Sequence, residues 1–161
     1  MRHLPKNRSR SLIGWREWVT FPEFSNARVK AKIDTGAKTS AIHAGNIALT
    51  EQDGVTFVTF TIFPNQRDIG HAIPCRAPLI NRRPITNSGG RKEDRFVVRT
   101  TIRLGAHAWP IEVSLTSRAS MGFRMLLGRN ALKGRFLVVP DRSFLEGRDI
   151  EALSTRATAS S

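Results

Sequence analysis

Apolar and polar positions alternate over several short stretches, and a period of two marks a half-buried strand. Residues 28–33 (RVKAKI) alternate charged and apolar side chains, and the run stops at Asp34, Thr35 and Gly36. Residues 55–63 (VTFVTFTIF) set Thr56, Thr59 and Thr61 among β-branched and aromatic neighbours, a composition that suits a pleated surface. Residues 96–104 (FVVRTTIRL) and 109–115 (WPIEVSL) predict two further strands, joined at Gly105-Ala106-His107-Ala108. A late strand is expected over 135–139, stopped by Pro140, and an early one over 12–21 around Trp15 and Trp18. Helix signals are few. One short helical turn fits 130–133, between Gly128 and Gly134, and 46–52 is ambiguous. Residues 80–94 are polar, with Pro84 and the Gly89-Gly90 pair, and read as a long exposed hairpin tip or a mobile loop. Many short strands with scarce helix predict a small all-β barrel or sandwich.

Composition narrows the class. The 161 residues suit one domain, and 40% hydrophobic residues are enough for a packed core. We expect a basic flexible arm over 1–11, the β domain over 12–148 and a frayed tail over 149–161. Cys75 is the one cysteine, which excludes an internal disulfide framework and any multi-cysteine zinc site. It reads as a partly buried thiol without a partner. No run of 18 apolar residues exists, so no membrane-spanning helix is expected. The first twelve residues are basic without an apolar core, unlike a secretory signal, and the cytoplasm is the expected compartment.

Charge adds a partner class. The chain carries 26 Lys and Arg against 13 Asp and Glu, a formal +13. Such a surface attracts nucleic acid, acidic proteins or anionic membranes, or is simply a solvated basic face. No aromatic residues interleave with the basic ones in a single-strand-binding pattern and no base-reading helix stands out, so nucleic acid is the less favoured partner.

The candidate chemistry sits at Ile33-Asp34-Thr35-Gly36-Ala37. A strand would fix the aspartate, Gly36 would allow a sharp turn and close backbone approach, and the Thr35 hydroxyl could lock the loop. Alone, such a triplet is equally an ordinary turn. A second element lies about ninety residues on: Leu126-Leu127-Gly128-Arg129-Asn130, two apolar residues, a glycine and the start of a helical turn. Together they resemble the retropepsin-like aspartic proteases. The longer strings IDTGAKTSAIHA, RFVVRTTIRLG and MLLGRNALKGRFLVVPDRSFL resemble a bacterial family labelled an ATP-dependent zinc protease, often associated with a ligase that adds glutamate to a ribosomal protein.

The resemblance implies a small closed barrel with one helical turn. It implies catalysis by Asp34 with Thr35 and Gly36, in a homodimer whose two copies of Asp34 share one water. Substrate would lie against Ala37 and Lys38 and under a glycine-rich flap, here Ser88, Gly89 and Gly90. Leu127, Gly128, Arg129 and Asn130 would support the loop, with Arg129 pairing a carboxylate or carbonyl. The flap segment is equally a plain surface loop, Lys38 is expected in solvent, and His43 is expected to be a hydrogen-bonded structural histidine. Arg82, Arg83 and Arg91 beside the flap suggest an acidic peptide or protein substrate, and a glutamate ligase is a candidate partner. The zinc and ATP label finds no support in the residues. There is no phosphate-cradling glycine loop, no His-Glu-x-x-His, and the histidines at 3, 43, 71 and 107 are scattered. No cofactor or metal is expected. The alternative function is a non-catalytic peptide-binding module, or a ribosome- or RNA-associated basic one, on the same fold.

Overall fold

The computed structural model describes residues 10–65, 71–87, 89–117 and 122–147. The expected arm (but for its last two residues), the expected tail and Ser88 lie outside the described residues. The elements run β1 (Ser11–Ile13), β2 (Arg16–Phe21), β3 (Ala27–Asp34), β4 (Ser40–Gln52), β5 (Val55–Ile62), β6 (Ile73–Thr86), β7 (Lys92–Leu104), β8 (His107–Thr116), β9 (Met125–Gly128), α1 (Arg129–Leu132) and β10 (Phe136–Val138).

The alternation read from the sequence is the alternation of burial. In β3, Ala27, Val29, Ala31 and Ile33 face the core while Arg28, Lys30 and Lys32 face outward. In β8, Trp109, Ile111, Val113 and Leu115 enter the core. Eight strands form one sheet in the order β2-β3-β9-β4-β5-β6-β7-β8, and further pairings of β2 with β7 and of β4 with β8 close it into a ring. Closure removes most free edges. Among the described residues the fold is all-β apart from the single short helix α1. β1 and β10 form a separate parallel pair, with Leu12 and Leu137 side by side and exposed.

Three expectations change and one ambiguous stretch is assigned. Residues 12–21 are two strands, because Gly14 and Trp15 break the run. Residues 46–52 belong to β4, whose outer half is exposed and therefore carries no apolar alternation. The segment 80–94 is not a long loop: β6 runs to Thr86 and β7 starts at Lys92, leaving only 87–91 as the tip. The helical turn starts at Arg129, one residue early, and ends at Leu132.

The C-terminal segment is held to the β1–β2 corner by a residue that the sequence reading passed over. Glu17 is wholly buried. Its Oε2 accepts the amides of Gly14 (2.8 Å) and Leu145 (2.9 Å), and its Oε1 those of Glu146 (2.9 Å) and Gly147 (2.6 Å). A Cβ on Gly147 would run into the Trp18 carbonyl, so glycine there lets the chain lie flat on β2.

Candidate active site

Asp34 is the last residue of β3 and falls in the outward phase of that strand, with Lys30 and Lys32. It is half-buried, and Thr35 and Gly36 beyond it are exposed. The turn folds back on the carboxylate: Asp34 Oδ1 accepts the amides of Gly36 (3.1 Å) and Ala37 (3.2 Å). Two backbone donors on one oxygen fix the rotamer of the side chain.

The strand β9 carries the second motif to this turn. It lies between β3 and β4, parallel to one and antiparallel to the other, so that Asp34 pairs with Gly128 and Ala41 with Leu126. The loop 35–39 therefore has to arch over the end of β9. Gly128 is what lets it pass: a Cβ there would lie 2.7 Å from the Thr39 carbonyl carbon and 2.9 Å from the Ser40 nitrogen. The Gly128 amide donates to Ser40 Oγ (2.9 Å). The amides that open α1 also cap the loop, Arg129 N donating to Ala37 O (2.7 Å) and Asn130 N to Lys38 O (3.1 Å). Arg129 Nη1 donates to Thr35 O (3.0 Å), so its partner is a carbonyl. Trp109 Nε1 donates to Ala131 O (3.1 Å) and anchors the helix from the core.

Asp34, Thr35, Gly36, Ala37 and Lys38 are thus brought together with Leu127, Gly128, Arg129 and Asn130. Lys38 is exposed. Gly89 and Gly90 sit at the β6–β7 tip, and among the described residues neither hydrogen-bonds the Asp34 loop. The tip is a built turn. Asn87 N donates to Arg91 O (2.8 Å), and Asn87 Oδ1 accepts the amides of Gly89 (2.8 Å) and Arg91 (3.1 Å). Arg82 lies 3.8 Å from Asp94, and Arg83 lies 3.4 Å from Glu112. A cavity of about 200 Å³ lies between the loop and β8, lined by Thr39, Asn130 and Ala131 on the loop side and by Pro110, Ile111 and Glu112 of β8.

The His43 ring lies 5.9 Å from that of Phe63, and its amide donates to Arg124 O (2.8 Å). Cys75 does have a partner: Sγ donates to Ile73 O (3.4 Å), and burial pushes its thiol up to about 12, partly offset by the Ile62 backbone. Among the described residues no three His, Cys, Asp or Glu side chains gather. No helix among them is long and apolar enough to cross a membrane.

An aspartate at a strand end, a glycine turn wrapped on its carboxylate and a Leu-Leu-Gly strand wedged beneath it define the retropepsin-like class. The chain belongs to the RimB-like family, whose model, described as the retropepsin-like aspartic endopeptidase RimB, matches residues 12–149. Curated relatives include a protein of Desulfotalea psychrophila, 44% identical over 82% of this chain, and one of Shewanella halifaxensis, 43% identical over 87%. Both are named "Probable alpha-L-glutamate ligase". The matched part is only 28% and 31% of their lengths, so the chain spans about three tenths of these relatives. A similar solved structure is that of Lpg0085 from Legionella pneumophila subsp. pneumophila str. Philadelphia 1, described as a protein of unknown function. It is 29% identical, with a TM-score of 0.72 over 85% of this chain and 98% of that one.

Proposed function

We propose that the chain is an aspartic-type peptidase that acts as a two-fold homodimer, each copy contributing Asp34. The observation that carries this reading is the Asp34 turn itself. Both fixed donors fall on Oδ1, which leaves Oδ2 for water and for a second carboxyl. One such carboxylate is half a catalyst. Two facing each other cannot both ionise cheaply, so they hold one proton and titrate as a unit. The charged carboxylate takes a proton from the shared water as its oxygen attacks the scissile carbonyl carbon. The protonated carboxyl gives its proton to the carbonyl oxygen. Collapse of the tetrahedral intermediate breaks the C–N bond, and the amine leaves with a proton returned from the dyad.

Ala37 and Lys38 border the substrate, and the β6–β7 hairpin covers it with Gly89 and Gly90 at its tip. The net charge and the arginines 82, 83 and 91 on this hairpin favour an acidic peptide, a glutamate-rich protein tail being the natural case. The ligase names of the longer relatives support a working partnership with a glutamate ligase. The deciding experiment couples sedimentation with hydrolysis of a glutamate-rich peptide. A dimer that cleaves the peptide, and whose Asp34→Asn form stays folded and dimeric without cleaving, is the expected result. A protein that cleaves while purely monomeric overturns the dyad.

The charge also favours a second reading, a non-catalytic basic module that binds acidic protein or RNA on this scaffold. It predicts binding that weakens steeply with salt and ignores Asp34→Asn.

A further inference from the structure

Buried polar side chains cost stability unless they are paired, so a line of them is informative. One line runs through this molecule. It begins at the hairpin tip with Asn87, which is 9% exposed and holds the tip amides on Oδ1. The Asn87 Nδ2 donates to Glu93 Oε1 (3.1 Å). The other carboxylate oxygen of Glu93 receives Arg95, from Nε at 3.1 Å and from Nη2 at 3.0 Å. The Arg95 side chain is 9% exposed. Its Nη1 donates to Ser114 Oγ (3.5 Å), which donates in turn to Ser40 O (3.1 Å). Ser40 Oγ accepts the amide of Gly128, the residue paired with Asp34. Ser114 and Ser40 are both fully buried.

The chain of bonds is continuous in chemistry as well as in space. Each hydroxyl has a defined role: Ser114 accepts from a cation and donates to a carbonyl, and Ser40 accepts from an amide. Arg95 is a charged group that touches both halves, Glu93 on one side and Ser114 on the other. Packing alone would be served as well by an apolar residue of similar size, since a buried ion pair roughly breaks even against one. A planar fork of donors is what the position uses, and lysine cannot reproduce it. We propose that Arg95 is a positioning residue, the buried link through which the β6–β7 tip and the loop carrying Asp34 fix one another's placement. Its catalytic meaning rests on the peptidase reading above, while the coupling itself does not.

The test uses the full chain labelled with ¹⁵N, with the amides of Gly89 and Gly128 as reporters at the two ends. Arg95→Lys keeps the charge and removes the fork. Ser114→Ala cuts the line at its centre, and Ser114→Thr restores the hydroxyl. Both reporters are expected to shift in Arg95→Lys and in Ser114→Ala, and to return in Ser114→Thr, with Gly54 and the exposed Arg99→Lys as controls that stay still. On a cleaved peptide, kcat is expected to fall about tenfold in Arg95→Lys with KM within about twofold. A Gly128 amide that stays fixed in Ser114→Ala and in any folded Arg95→Lys protein overturns the proposal. If the parent chain cleaves nothing, the peptidase reading fails and the two glycine signals still decide the coupling.

Discussion

Two carboxylates on adjacent strands of one sheet do opposite things. Glu17 on β2 is wholly buried and takes four backbone amides, two on each oxygen. Asp34 on β3 is half-exposed and takes two, both on one oxygen. The difference lies in what is left over. A carboxylate whose oxygens are saturated by fixed donors has no lone pair for a reaction, and its value is entirely structural. A carboxylate oriented through one oxygen keeps the other for water or substrate. Counting acceptor capacity separates a structural acid from a chemical one more sharply than exposure does.

The comparison can be broken by the same change at both sites, acid to amide. Asp34→Asn is expected to lower hydrolysis at least about a thousandfold. Its unfolding free energy should stay within about 1 kcal/mol of the parent, since the amide oxygen can still accept from Gly36 and Ala37. Glu17→Gln should do the reverse. Its new NH₂ would face backbone donors, which leaves at least one buried amide unpaired and costs about 3 kcal/mol in a urea titration. Equal stability losses at the two sites would remove the distinction.

The Asp34 side of this comparison was legible in the sequence and the Glu17 side was not. Asp34, Gly36, Gly128 and Arg129 are contiguous in two short motifs, and the geometry joins the motifs through one strand pairing. Three of the four bonds of Glu17 come from residues 128 to 130 positions away, for which no local pattern exists. One signal was present: the phase 17, 19, 21 in β2 puts Glu17 on the same buried face as Val19 and Phe21. A charged residue in core phase demands a partner. β6 was missed because Pro74, Pro78 and Pro84 argue against a strand. It pairs with β5 over its first half and with β7 over its second, so each proline has an unpaired side where its missing N–H costs no ladder bond. Arg95 was invisible for a third reason, since charge in a basic chain looks like surface until burial is known.

Gly128 sharpens the comparison from the backbone side. Gly128→Ala places a methyl group against the Thr39–Ser40 peptide, which cannot move without lifting the loop off β9. The expected cost is about 2 kcal/mol of stability. Activity should fall further than stability explains, because the displaced loop is the one that orients Asp34. A variant with full activity per folded molecule would mean that the loop tolerates displacement.

Cys75 is the smallest test and supplies the missing third case, an acidic group whose burial outweighs its one backbone donor, at Ile62. Burial raises its thiol from 9.0 to about 12. The unfolded chain releases this proton near 9.0 and the folded chain only near 12, so between those values the unfolded state binds fewer protons. Stability from this group is complete below pH 9 and declines as pH rises through that window. At pH 8 the folded thiol is almost wholly protonated, and the thiolate is the reactive form. Alkylation of the native protein should therefore run about a thousandfold slower than in urea, from ionisation alone. Native and denatured rates within about tenfold of each other would mean that burial does not outweigh the Ile62 backbone donor and is not what keeps this group neutral.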